Sequence, residues 1–489
     1  MQRRAFVTSV LAASLARPAF AEPFDAQTVR ALARALADAP YKAPDTSLPG
    51  PYKDLSYDAY RQIRFDPAQA LWRGQSLPFE AQFFHRGSIF ASRVDVFEVV
   101  DGQAAPVPYR ADAFDFGPTP KPDGDLGWAG FRIHAPLNRA DYKDEVAVFL
   151  GATYFRAVGR GQGYGLSARM LGLNTADPRG EEFPAFRAFW LERPAPDATS
   201  LTVTGLLDSP SVAGAARITI RPGDATIMDV ALTLYPRVAL EQAAVGGAVS
   251  MFLFDSTNRA GQDDYRRAVH DSDGLQMLTG RGEELWRALA NPRTLQVSSF
   301  LDTSPRGFGL QQRARALVDY DDTEARYDLR PSLWVEPIGD WGEGAVQLVE
   351  IPTKQEIHDN IVAQWRPKQP LAAKEERSFT YRLHWGAAPP GMGNLGRFTR
   401  SRSGAGGNGS RLFVLDVAAA PQPAPGVTPR AGVSASAGKV VNVAVQQVGD
   451  FWRIGFELAP DGAPVVELRA QLLGGDAALS ETWMYRWTA

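Results

Sequence analysis

The chain has 489 residues, 52 Lys and Arg against 55 Asp and Glu, a formal charge of −3 and no cysteine. That length allows two domains and a large core, while the charge balance offers no field to nucleic acid or acidic lipid and the missing thiols exclude disulfides and thiolate metal sites. The aromatic supply is generous, with 11 Trp and 14 Tyr. Such rings either fill a β core or pack against the C–H faces of sugars.

In chain order, Arg3-Arg4, a short apolar stretch to Leu15 and Ala19-Phe20-Ala21 predict an export signal over residues 1–21. The paired arginines favour the twin-arginine route. No later stretch reaches the ~20 apolar residues of a membrane-spanning helix, so the expected mature protein works in solution outside the cytoplasm. Val29, Leu32 and Leu36 predict an amphipathic helix over Phe24 to Ala39, and Ser56 is placed to cap a second, short one. From about Glu80 the pattern turns to strands, among them residues 91–99, 200–207, 216–221, 226–234 and 378–384. Many short strands at this density predict a mainly β fold built as a large sandwich. The Gly/Ser/Arg-rich stretch 389–411 has the composition of a linker or mobile loop. Residues 412–417, 439–448, 451–458 and 465–472 then predict a small immunoglobulin-like sandwich over 412–489, which leaves residues 22–388 for the large one.

Several familiar chemistries are missing: there is no phosphate loop, no H-E-x-x-H zinc helix and no G-x-S-x-G elbow. Gly159 to Gly163 has spaced glycines without a following helix and reads as a hairpin loop, and Asp271-Ser272-Asp273-Gly274 lacks the later ligands of a calcium loop. The five histidines are too scattered for a metal cluster, so no metal or cofactor is expected. Two of them precede aspartates, in His270-Asp271 and His358-Asp359-Asn360. From spacing alone those carboxylates read equally as solvated loop residues.

Longer strings carry more. Gln82 to His85, Asp125 to Arg132, Leu150 to Val158, Tyr164 to Arg169, Arg330 to Pro337, Glu350 to Thr353 and Ser480 to Tyr485 together resemble the periplasmic glucan biosynthesis proteins G and D. The match runs from near residue 80 to the C-terminus, and the twin-arginine start leans toward the D branch. The resemblance implies a large galactose-mutarotase-like β-sandwich followed by an immunoglobulin-like one. It implies a periplasmic role in making osmoregulated glucans, either as an anomer-inverting enzyme that cuts linear β-1,2-glucan internally or as one that transfers it to a cyclic product. A non-catalytic reading stays open, in which the chain binds or scaffolds glucan for the inner-membrane glucan synthase, and so does a homodimer.

Residue by residue, the resemblance implies Asp359 as general acid, from the string Glu356 to Val362, and Asp271 as general base, from Val269 to Asp273. It also brings in Tyr327 and Glu356. An inverting hydrolase needs one carboxylic acid to protonate the leaving oxygen and one carboxylate to activate water. Asp359 must therefore hold its proton near neutral pH, which burial and a neighbouring Glu356 carboxylate would favour. Asp271 must stay ionised, with His270 or nearby arginines helping. For glucan contacts the candidates are Tyr154, Arg156, Tyr164, Arg169, Trp334 and Trp365, with the arginines donating to hydroxyls and the rings stacking. For the two tryptophans the plainer reading is core. The short Gly-rich run Gly404 to Ser410 stands where the D proteins carry a longer loop, which leaves water exclusion, and hence hydrolysis against transfer, open.

Overall fold

A computed structural model describes residues 21–489; apart from Ala21, the expected export signal lies outside the described residues. The protein is mainly β, and no helix among the described residues is long and apolar enough to cross a membrane. The chain divides into two compact units.

The first unit comprises residues 21–161, 168–246 and 369–383. Its helix, Thr28–Asp38, buries Val29, Ala33 and Ala37, a four-residue spacing that lines one face. This face packs with Val99, Trp190, Leu206, Ala213 and Tyr235. The helix starts later than expected because the Asp25 carboxylate accepts from the backbone N–H groups of Gln27 and Thr28 (2.8 and 2.9 Å), which holds a turn there. Phe24, before that turn, stacks on Trp190. Ser56 caps the helix Tyr57–Gln62 by accepting from the Ala59 N–H.

Strands Ala185–Glu192, Leu201–Asp208, Val212–Arg221 and Thr226–Pro236 form a continuous antiparallel ladder, with Asp95–Val100 added in parallel. A second antiparallel run joins Glu80–His85, Trp128–Pro136, Lys143–Leu150, Tyr154–Ala157 and Ser167–Leu173. The two runs meet through aromatic rings: Phe131 stacks on Phe149 at 5.0 Å and meets Phe189 edge-on at 4.9 Å. The result is the expected sandwich, a two-layer core closed by rings from both sheets.

The second unit comprises residues 162–167, 247–368 and 384–489. Strands Gly274–Leu278, Glu284–Ala288, Gly307–Gln311 and Ser332–Ile338 pair in one sheet. The chain's last strand, Thr482–Thr488, joins that sheet in parallel to Glu284–Ala288 and also pairs with Val465–Gly474. A separate ladder is formed by Gln296–Thr303, Glu343–Glu350 and Ile361–Pro367.

The stretch 389–411 is not a linker. It contains the strand Arg397–Ala405, hairpinned to Arg411–Ala418 through a turn that uses Asn408 in the left-handed region (φ 52°). Phe398 is buried in one core with Phe413, Phe456, Trp483 and Trp286, and the Arg402 and Arg453 guanidinium groups both close on Asp416. A Gly- and Ser-rich composition here serves close packing, since the Ser401 hydroxyl accepts from the Trp483 indole N–H at 2.9 Å.

Candidate active site

The candidate carboxylates belong to the second unit, on segments where its ladders end. Strand Val269–His270 pairs with Phe252–Phe254, and Asp271 follows it directly, its N–H donating to the Met251 carbonyl at 2.8 Å. Asp359 lies on the connection 351–360 between Glu343–Glu350 and Ile361–Pro367. That connection is closed at its base by the Ile351 N–H on the Asn360 carbonyl (2.9 Å).

Asn360 ties the two segments together. Its side chain is buried, accepts from the Phe252 N–H (2.8 Å) and donates to the carbonyls of Phe252 (3.0 Å) and Ile351 (2.9 Å). Phe252 is also the register partner of His270. Asp359 and Asp271, each one residue beyond these positions, are therefore anchored through the same backbone unit although 88 positions separate them in sequence (359 − 271).

Side chains link the same segments a second time. The Arg330 guanidinium donates to Asp271 and lies 4.2 Å over the Tyr327 ring centroid. The buried Tyr327 hydroxyl donates to Glu356 Oε2 (3.1 Å), and Arg266 donates to the same oxygen (2.7 Å) while also holding Asp322 (2.9 Å) and Asp264 (2.8 Å). Burial, and then the Glu356 carboxylate, push the Tyr327 phenol well above its ordinary range, so it stays protonated and can only donate to Glu356. Tyr327 is presented by a short 3₁₀ turn, Tyr327–Leu329, entered through Arg326 at φ 48°.

One expectation about charge changes. His270 cannot assist Asp271 as a cation: it is buried, stacked on Phe252 at 5.4 Å, and bonded through Nδ1 to Gln312. Burial pushes its pKa down, so it is a neutral core ring, and the positive charge at Asp271 comes from Arg330. Asp359, in turn, is exposed, and the Glu356 charge is shared with Arg266.

The glucan-contact candidates divide. Trp334 and Trp365 are 2 % and 0 % exposed, and a Cβ on Gly307 or Gly344 would collide with their respective rings. Both are core residues whose neighbours were trimmed to glycine to admit an indole, and they cannot face a sugar. Tyr164 lies beside Gly165, where a Cβ would come within 2.9 Å of the Arg330 Cβ; the Gly163 N–H donates to the Leu329 carbonyl (3.2 Å). This places the Tyr164 segment against the arginine that holds Asp271. In the first unit, Arg169 is buried with its guanidinium turned onto Glu181 and set between the rings of Tyr154 and Phe183 (5.4 and 5.0 Å). Its fork is spent within the fold. Tyr154 and Arg156, on strand Tyr154–Ala157, are half-buried.

Arg330, Arg266, Asn360 and Gln312 were not picked out as site residues from the sequence. The first and third stood inside strings already noticed, Arg330-Pro331-Ser332 and His358-Asp359-Asn360, where an arginine or amide beside a motif carboxylate is the available signal. Nothing local marks Arg266 or Gln312.

The chain is 56 % identical over 502 residues to a glucans biosynthesis protein G of Rhodopseudomonas palustris, covering all of both chains. It is 55 % identical over 472 residues to the protein of that name from Bradyrhizobium diazoefficiens, covering 95 % of this chain and 93 % of the relative. With the Vibrio cholerae protein of that name it shares 49 % identity over 474 residues, covering 95 % and 87 %. These relatives carry the G name, so the lean toward the D branch, drawn from two adjacent arginines in a segment where basic residues are common, is corrected. Residues 24–487 match the family model described as periplasmic glucan biosynthesis protein, MdoG, and the chain belongs to that family.

Proposed function

We propose that the protein acts in the periplasm, within osmoregulated glucan biosynthesis, as an anomer-inverting enzyme on linear β-1,2-glucan. The observation that carries this reading is the double tie between the Asp271 and Asp359 segments, one through Asn360 and Phe252 and one through Arg330, Tyr327 and Glu356. Two carboxyl groups on jointly anchored segments are what inversion requires.

In this mechanism Asp359 gives its proton to the departing glycosidic oxygen as the C–O bond breaks, and Asp271 takes a proton from the attacking water, directly or relayed through a glucan hydroxyl. The Arg330 guanidinium on Asp271 favours the charged form required of a base. The glucan itself, by covering the exposed loop 351–360, supplies the desolvation that raises the Asp359 carboxyl toward the working pH. Tyr327 and Glu356 hold the water or relay path between them. Whether water or a sugar hydroxyl is the acceptor decides between hydrolysis and cyclisation, and the two acceptors make the same demands on both carboxyl groups.

Mass spectrometry of the products formed from linear β-1,2-glucan tests the reading: shortened or cyclic chains are expected. Tight binding with no new product after long incubation at several pH values would instead favour a scaffold that holds glucan for the membrane synthase.

A further inference from the structure

We propose that Tyr265 is a sugar-ring platform forming a glucan subsite at the rim of the Asp271 and Asp359 segments, an inference that rests on the function proposed above. Tyr265 is 79 % exposed, on the connection between strands Phe252–Phe254 and Val269–His270. A ring this exposed is ordinarily carried by a loose loop, but this backbone is held on both sides. The Arg259 guanidinium donates to the carbonyls of Asp264 (2.6 Å), Arg266 (2.5 Å) and Arg267 (3.1 Å) and lies over the Phe254 ring. The Asp264 carboxylate accepts from the Arg266 N–H (2.9 Å) and guanidinium (2.8 Å). The ring is thus presented to solvent on a stapled frame, so little ordering entropy remains to be lost when a ligand stacks on it.

The residues the chain carries beside Tyr265 point to a sugar. Arg266 bridges to Glu356 (2.7 Å), and the following residue, Ile357, is 76 % exposed. Exposed Tyr265 and Ile357 are thus the chain neighbours of the two members of one ion pair. A glucosyl unit has matching chemistry, an apolar C–H face for the ring and a rim of hydroxyls for the guanidinium and carboxylate. The ion pair itself belongs to the candidate site, because Glu356 accepts from Tyr327, over which the Asp271 partner Arg330 lies. The occupant is thus a glucosyl residue of the same chain that reaches the two aspartates, bound away from the bond being broken.

The test is a series of linear β-1,2-glucans of graded length, assayed for binding by calorimetry and for product formation with the parent protein, Tyr265→Ala, Tyr265→Phe and Ile357→Ser. Tyr265→Ala should raise KM and Kd for long chains about fivefold to tenfold, leave kcat and the melting temperature unchanged, and have no effect on chains too short to reach the ring. Tyr265→Phe should behave as the parent, and Ile357→Ser should show the same length dependence more weakly. A Tyr265→Ala protein that matches the parent at every length, or that loses kcat at unchanged KM, overturns the subsite alone. A parent that neither binds nor alters β-1,2-glucan overturns the functional reading and the subsite with it.

Discussion

Two hairpins in this protein end very differently. In the first unit, Val212–Arg221 and Thr226–Pro236 pair along their whole length and turn through residues 222–225, where Pro-Gly-Asp supplies the reversal. In the second, Glu343–Glu350 and Ile361–Pro367 pair as regularly but separate into the longer connection 351–360, whose backbone is held by a buried asparagine and whose Glu356 is gripped by Arg266 and Tyr327. The strands obey the same physics. The functional difference arises where backbone pairing stops and side chains must fix the chain instead.

Asp271→Asn removes the base while keeping its shape and should cut the rate of product formation about 10²–10⁴-fold, with a lower melting temperature because the Arg330 charge loses its partner, read by product analysis on the folded protein alongside thermal unfolding. Asn360→Ala leaves the Phe252 N–H and carbonyl without their partner, so it should cost about 1–3 kcal/mol of stability and lower the rate as the loop loosens; denaturant unfolding with the rate assay checks both. A stable Asn360→Ala with parental activity would remove the pin from the account.

The regular region should answer to pH rather than to activity assays. His85, on strand Glu80–His85, is buried between the Arg86 carbonyl and the Tyr109 hydroxyl, and burial pushes its pKa down to about 4. The unfolded chain takes up this proton near pH 6.5 and the folded chain only near 4. Stability is therefore lost as pH falls between those values, by roughly 3 kcal/mol in total, and is flat above them. His85→Asn should flatten that part of the stability curve, which unfolding at stepped pH would reveal. The smallest effect belongs to the tight turn: Asp224→Ala, at an exposed ion pair with Arg160, should change neither melting temperature nor product rate.

The same contrast explains what the sequence revealed. Alternating β-branched runs such as 226–234 announce their strands because the periodicity is local, and Ser56 announces its helix because a cap is a local bond. Asp271 and Asp359 could be named only through the resemblance, since nothing within either string says that Phe252 joins them. Trp334 and Trp365 stay open between core and sugar contact in the sequence because an indole suits both; the glycines across from them, Gly307 and Gly344, become informative only once the pairing is known. The stretch 389–411 looked like a linker because Gly and Ser mark mobility by composition, whereas Phe398 and Ser401 are fixed by Phe413 and Trp483, partners far along the chain. His270 looked like a helper for Asp271 until its burial was visible.

Everything specific in the function depends on a proton held at Asp359 and delivered to the glycosidic oxygen. The direct measurement is the initial rate of product formation from linear β-1,2-glucan by purified Asp359→Asn beside the parent, with melting temperatures for both. A fall of about 10²–10⁴-fold with the fold intact is the predicted result, and an unchanged rate would contradict the assignment.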